Sequence, residues 1–440
     1  MNFQDLIKKA LKKGFSDIEI YEESSTELSI GIFNGVVDKN ELSDISKLAI
    51  RAIYNGKMAY MDLENKNESI DFILDNLMNN AKSITTEEEF LIFEGSKSYP
   101  SVKTAEKDFD KYTNFDKINL LKTLEKNIKE KDTRVIHVPY CNYQETLNKV
   151  RIINSKGLDI AKQNDYCVVF AQVVAKENND SQSSFEMDVK LRYEDLDIEK
   201  VCKDAVEKAV SMLNAKPVPS KTYPTIIEKE AMTSLFSSFQ SMFSGESAIK
   251  KITPLLGKLD TLIMDEKITI VDDPIKEDAI IVSPFDDEGV ACYRKEVVKD
   301  GVFKTFLHNL KTANYFKTTS TGNGFKTGAT IGVSGANLYI APGSTTKEEM
   351  IKDIEEGLLL TSFEGLHAGV NPISGDFSLK ASGFLIQKGD ISRAVTLIVA
   401  SGNFFKLMKE VEIIGNDLEL GYRGIGSPSI KFKGIAISGE

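Results

Sequence analysis

Hydrophobic and polar positions follow two periods along this chain, and the changes of period mark the elements. Leu6, Ile7 and Leu11 fall at helical spacing. The run IEIYEESSTELSIGIFNGVVDKNEL (18–42) then alternates with period two around Asn34-Gly35, and LAIRAIYNGKMAYMDL (48–63) does so around Asn55-Gly56. Both central residues of a two-residue hairpin turn need positive φ, which Asn and Gly tolerate, so each pair predicts a hairpin. Ile70, Ile73, Leu74, Leu77, Met78 and Ala81 form one stripe of a helix from about Ser69 to Ile84. Residues 87–116 are weakly periodic and read as a linker. Ile118, Leu121, Leu124 and Ile128 then predict another helix, residues 134–178 a strand meander turning near Lys156-Gly157, and Asp197 to Ala215 a closing helix.

Pro217, Pro219 and Pro224 interrupt any regular element, because proline lacks the backbone donor and fixes φ. Beyond them glycine becomes frequent, and short β-like runs follow: KITIVDD, AIIVSPFDDEG, VVKDGVFKTFLHN, IGVSGANLYIAPG, SGFLIQKGDISRAVTLIVASG and SIKFKGIAISG. Helical stretches at about 228–243 and 346–357 interrupt them. The pattern predicts an α+β fold. An N-terminal α/β region with antiparallel hairpins and helices precedes a C-terminal, mostly antiparallel β domain with a few helices. The expected boundaries are 1–90, 110–216 (its own domain, or one lobe with the first) and 222–440.

Composition narrows the function classes. A chain of 440 residues exceeds one ordinary core, and 41% hydrophobic with 28% charged residues is a globular balance. The net charge of −11 and the absence of a basic run argue against direct nucleic-acid binding. No apolar run approaches the ~18–20 residues of a membrane-spanning helix. MNFQDLIKKALKKG has no signal-peptide apolar core, so a cytoplasmic location is expected. Cys141, Cys167, Cys202 and Cys292 form no CxxC pair and read as reduced core residues.

Candidate chemistry is sparse. The three histidines, His137, His308 and His367, are far apart, with no HExxH or HxH pattern, and His137 sits inside an apolar strand as a structural residue. There is no GxSxG, and TGNGFKTGATIG (321–332) lacks the lysine and spacing of a phosphate loop. The acids of TIVDDP (269–274) and FDDEG (285–289) read as solvated turns after strands. Met232, Leu235, Phe236, Phe239, Met242 and Phe243 make the helix at 228–243 a buried one. The segment EGLHAGVNPISGDFSLKASG (364–383) gathers His367, Asn371, Asp376 and Ser378. It reads as loop architecture able to fix a sheet edge that could hold an extended peptide, with His367, Asn371, Asp376 and Ser378 as substrate or groove candidates.

Several of these stretches resemble the TldD/PmbA family, also called TldD/TldE or "modulator of DNA gyrase". They are GFSDIEIYEESSTELSIGIFNGVVD, KITIVDDP, STGNGFK, GLHAGVNPISGDFSLKASGFLIQKGDISRAV, GNDLELG and GSPSIKFKGIAISG. The resemblance implies a heterodimeric cytoplasmic metallopeptidase acting on small flexible peptides. In that family TldD-like chains carry HExxxH on the helix opening the C-terminal domain, with a late cysteine as third zinc ligand. PmbA/TldE-like chains lack both and act as the partner subunit. Here the matching positions read SSFQSM, which makes Ser237, Ser238 and Met242 degenerate zinc-helix positions, and no cysteine follows Cys292. The resemblance therefore implies the PmbA/TldE-like branch: no catalytic residue and no metal or other cofactor bound by this chain, zinc in a TldD-like catalytic partner, and pairing with that partner or with itself. Two alternatives stay open. One is a self-sufficient peptidase homodimer using His308, His367 and nearby carboxylates. The other is a regulatory module that binds gyrase.

Overall fold

A computed structural model describes residues 1–64, 67–85, 91–102, 106–327 and 330–440. The N-terminal half is built on six strands: β1 (Phe15–Phe33), β2 (Val36–Tyr54), β3 (Lys57–Leu63), β4 (Val135–Asn154), β5 (Asp159–Glu177) and β6 (Asp180–Lys190). They form one antiparallel sheet in the order β3-β2-β1-β4-β5-β6, which runs through both 1–90 and 110–216. Both Asn-Gly pairs make the expected turns, with φ of 50° and 75° at Asn34-Gly35 and 51° and 74° at Asn55-Gly56. β3 pairs only with residues 48–54 of β2, so the outer half of β2 is a sheet edge.

One face of this sheet carries the helices. Ile18, Ile20, Leu28 and Ile30 share a parity on β1 and are buried. The first two pack with α1 (Phe3–Lys12) and α2 (Ile70–Ser83), and the other two with α3 (Asn114–Lys131) and α4 (Ile198–Ser211). Ser69 caps α2 and Asp197 caps α4, each accepting a backbone N–H of the first turn. The odd-numbered Glu19 and Tyr21 point to the opposite face, where Phe285 of the C-terminal half joins Tyr21, Val150, Ile152 and Leu158.

The C-terminal half holds a mixed sheet ordered Asp390–Asn403, Asp376–Gln387, Glu356–Glu364, Lys221–Ile227, Ile430–Ser438, Val411–Ile414. Asp390–Asn403 also pairs with Ile430–Ser438, so five strands close on themselves. A second six-stranded sheet includes Ile270–Asp272, Lys295–Lys299, Leu338–Ile340 and Ile425–Ser427. The helix α5 (Lys229–Phe239) packs against both sheets, on strands Glu356–Glu364 and Ile425–Ser427. The α+β class read from the sequence is the observed one.

Local expectations failed where tertiary contacts override period. The helix expected at 346–357 stops at Lys352, and Glu356–Glu364 is a strand. Leu358–Leu360 pair in parallel with Thr225–Ile227, and Gly357 lies so close to the Pro224 carbonyl that a Cβ would sit 2.4 Å from it. The helix at 228–243 ends at Phe239 and tightens into a 3₁₀ turn, Gln240–Phe243. AIIVSPFDDEG forms no strand. The expected linker falls partly outside the described residues, and its described part is anchored: Ile92 is fully buried and the Phe93 carbonyl accepts a hydrogen bond from Asn154 Nδ2 at 2.8 Å.

One tertiary contact holds the β1–β2 turn in place. The Glu125 carboxylate of α3 accepts the backbone N–H groups of Asn34 (2.8 Å) and Gly35 (2.7 Å). Replacing Glu125 with Ala strips both donors of their acceptor, which is expected to destabilise the sheet by about 1–3 kcal/mol. The urea midpoint should fall with no change in the slope of the transition, and Glu125→Gln should lose less.

Candidate functional site

The N-terminus of α5 is fixed by the late glycine-rich segments. The Lys229 backbone N–H donates to Ser429 Oγ (3.1 Å), and the Ser429 hydroxyl and N–H donate to the Asp417 carboxylate at 2.7 and 2.8 Å. GNDLELG and GSPS therefore meet at the first turn of the helix. Along α5 the buried side presents Met232, Leu235, Phe236 and Phe239. Ser237 and Ser238 are half-buried, and the Ser238 hydroxyl donates to the Ser234 carbonyl at 3.1 Å. Met242 is buried on the 3₁₀ turn. The three degenerate positions thus offer two hydroxyls, one already engaged, and a thioether.

His367 is exposed on a four-residue helix, Leu366–Gly369, which packs beside α5. The following loop is tied to itself. Asn371 Oδ1 accepts the N–H groups of Ile373 (3.0 Å) and Ser374 (3.1 Å), and the Asn371 N–H donates to the Asp376 carbonyl (2.8 Å). The Asp376 carboxylate accepts Asn403 Nδ2–H (2.9 Å) and the Ser374 hydroxyl (2.8 Å), which hold it below the usual carboxylate range. Ser378 sits opposite Ser401 on the neighbouring strand and accepts its hydroxyl at 3.1 Å. Asn371, Asp376 and Ser378 therefore stand together at one end of a hairpin. Their hydrogen bonds organise that hairpin end and leave the loop surface exposed.

A buried polar belt that sequence reasoning missed lies deeper. Asp272, fully buried, accepts Lys295 Nζ and Asn323 Nδ2, each at 2.8 Å, and the Ala336 N–H at 2.6 Å. Asn323 Oδ1 accepts the Thr321 hydroxyl (2.7 Å), and Thr321 Oγ1 accepts the His308 N–H (2.6 Å). His308 Nδ1 lies 3.1 Å from Thr312 Oγ1, and burial lowers the imidazole pKa to about 4. His137 lies edge-on to Phe33 on β4, with ring centroids 5.4 Å apart.

The acids of FDDEG continue the belt to the seam between the halves. Asp286 accepts the N–H groups of Glu288 (3.0 Å), Val290 (2.9 Å) and Gly324 (2.8 Å); burial and then the charge of Glu288 raise its pKa. Asp287 pairs with Lys162 of β5 (3.0 Å). Glu288 accepts the Leu310 N–H (2.7 Å) and faces Arg51 Nη1 of β2 at 3.9 Å, while Arg51 Nε donates to the cross-strand Glu19 at 2.6 Å. Both acidic runs are therefore buried, contrary to the solvated turns expected from the sequence. Period could not show this, because backbone amides and distant cations solvate these carboxylates. The available signal was glycine: a Cβ on Gly324 would lie 2.6 Å from Glu288 Oε2, and one on Gly289 2.6 Å from Leu158 Cδ2.

The cysteines are buried and unpaired, and burial raises the thiol of Cys141 to about 12. Zinc in a peptidase needs imidazole, carboxylate or thiolate donors with one position left open. Ser237, Ser238 and Met242 do not supply them. Among the described residues no three His, Cys, Asp or Glu side chains form a set able to hold a metal ion. The described residues of this chain do not fit the zinc of a metallopeptidase.

The C-terminal half thus combines a ring of five strands, a second sheet and α5 packed on a strand of each. Residues 220–439 match the PmbA/TldA metallopeptidase C-terminal domain, 107–213 the central domain and 18–81 domain 1. The chain belongs to the PmbA/TldD family. It is 27% identical over 437 residues to a metalloprotease PmbA homolog of Buchnera aphidicola subsp. Acyrthosiphon pisum, covering 97% of this chain and 94% of that one. It is 30% identical over 248 residues to metalloprotease PmbA of Escherichia coli O157:H7, covering 56% and 53%. A Thermotoga maritima protein described as a candidate modulator of a DNA gyrase superposes with a TM-score of 0.92 at 32% identity, over 99% of both chains. TldE from Thermococcus kodakarensis shares the fold, with a TM-score of 0.89 at 23% identity over 99% of this chain and 100% of that one. Among the described residues no helix is long and apolar enough to cross a membrane.

Two outcomes are expected from the belt. Lys295→Met leaves Asp272 buried without its cation and should cost about 3–5 kcal/mol in a denaturant titration. The neutral His308 imidazole refuses a proton that the unfolded chain accepts below pH ~6.5. Its contribution is present above that value and is lost as pH falls toward 4. The stability difference between wild type and His308→Asn should therefore shift against the wild type from pH 7 to pH 4, as read by paired urea midpoints.

Proposed function

We propose that this chain is a PmbA/TldE-like subunit of a TldD/TldE-type metallopeptidase complex in the cytoplasm, and is itself non-catalytic. The observation that carries the reading is α5. In this reading α5 and the 3₁₀ turn after it take the place of the zinc helix, and Ser237, Ser238 and Met242 then stand where two imidazoles and a carboxylate would be needed to hold zinc and take a proton from its bound water. The helix is nevertheless rigidly placed, held at its first turn by Ser429 and Asp417. A well-anchored helix without donors suits a subunit that completes a groove beside a zinc-bearing, TldD-like partner. Small unfolded peptides are the substrate class in this reading. His367, on the short helix packed beside α5, and the exposed Asn371, Asp376 and Ser378 that follow it are the groove residues proposed to meet substrate or partner.

The reading is tested by mixing. The purified chain should not cleave an unstructured peptide. Adding a TldD-like chain that carries HExxxH and a late cysteine should produce cleavage that a zinc chelator abolishes. Chelator-sensitive cleavage by this chain alone would overturn the assignment.

A further inference from the structure

Two cavities, of about 620 and 400 Å³, open along the seam between the N-terminal sheet and the C-terminal half, and they meet at Tyr21, Ala49, Asp287 and Lys326. The smaller one is walled by Ala49, Met58 and Tyr60 of the sheet and by Leu310 and Ile331 of the C-terminal half. Its volume is within the range of small-molecule sites, and its walls combine apolar surface with a few charged groups, as such sites do.

The carboxylates in its wall are already engaged. Glu19 accepts Arg51 Nε and, at 3.1 Å, Asn154 Nδ2. Asp287 pairs with Lys162 and accepts the Lys326 N–H at 2.9 Å. Glu288 accepts the Leu310 N–H and faces Arg51. Lys326 differs. Its ammonium lies 4.5 Å from the centroid of the Tyr21 ring and forms no ion pair with any described carboxylate. An ammonium has three donors and a full charge, and one aromatic face satisfies only part of that demand. The cavity therefore pairs an apolar body with one ammonium that, among the described residues, touches no carboxylate directly. Lys162 pairs with Asp287, and Arg51 is shared by Glu19 and Glu288. These three carboxylates and two cations together with Lys326 sum to zero charge, and a bound carboxylate would draw on the direct contact to the Lys326 ammonium.

We propose that this seam cavity is a binding site for a small molecule in which one carboxylate is joined to an apolar body, with the carboxylate on Lys326 and the body against Leu310, Ile331 and Met58. The same chemistry is found at the C-terminus of a short apolar peptide and in a medium-chain fatty acid. The site is separate from α5 and does not depend on whether the chain is catalytic.

Isothermal titration of the full chain tests it, with N-acetyl-Leu-Phe, its C-terminal amide and octanoate as probes. The free acid should bind about tenfold or more tighter than the amide, the expected scale of one ion pair in a partly enclosed site. Lys326→Met should bring the acid to the level of the amide, and Lys326→Arg should keep the preference. Leu310→Trp fills only the smaller cavity and should weaken the acid by a similar factor, with an unchanged thermal melt as the folding control. Binding of N-acetyl-Leu-Phe without octanoate assigns the peptide source, and the reverse assigns the fatty acid. Equal binding of acid and amide, no binding of any probe at millimolar concentration, or full retention of acid binding in Lys326→Met or Leu310→Trp would overturn the proposal.

Discussion

Three successive carboxylates stand at the seam between the two halves of the molecule, two of them facing across it, and the rest of the architecture depends on how each is satisfied. Asp286 turns inward to the C-terminal half's own amides, Asp287 reaches Lys162 on β5, and Glu288 faces Arg51 on β2. Around them the linker contributes Ser96 Oγ, which accepts the Ala291 N–H at 2.9 Å, and Tyr99, whose hydroxyl donates to the Gly289 carbonyl at 2.8 Å. Asn164 Oδ1 of β5 accepts the Val282 N–H at 3.0 Å. A short irregular segment thus receives bonds from the sheet, the linker and the glycine-rich hairpin. Buried charges of this kind are costly unless every lone pair is used. The seam tolerates them because backbone amides and two cations are aimed at them from both sides.

That arrangement also explains which parts of the chain were readable from sequence. The N-terminal hairpins follow from Asn-Gly turns whose geometry is local, and the helices from stripes and caps that lie within the segment. Strand Glu356–Glu364 was not readable because its pairing with Lys221–Ile227 is parallel and distant in sequence. The run of acids in FDDEG resembles a solvated turn in any window of a few residues. Its burial is decided by Arg51 and Lys162, more than a hundred residues away.

The candidate site divides in the same way. The loop around His367 was found by composition, and the structure gives its polar residues a local task, since Asn371 and Asp376 bond within their own turn and to the adjacent Asn403. The motifs GNDLELG and GSPS gave no chemical signal of their own, yet they meet at the first turn of α5 through Asp417 and Ser429. Lys295, Asn323 and Asp272 form a satisfied triad whose members lie on three separate strands or loops. Only the fold reveals that they are one unit.

The closed sheet of the C-terminal half has a consequence for how the protein must be made. Strand Lys221–Ile227 lies between Glu356–Glu364 and Ile430–Ser438, and the last of these also closes the ring against Asp390–Asn403. A growing chain on the ribosome therefore exposes two unpaired strand borders until residue 438 has emerged. α5 likewise lacks its Ser429 anchor for about 200 residues of synthesis. Such long waiting times before non-local pairing favour slow maturation and an early need for chaperone shelter.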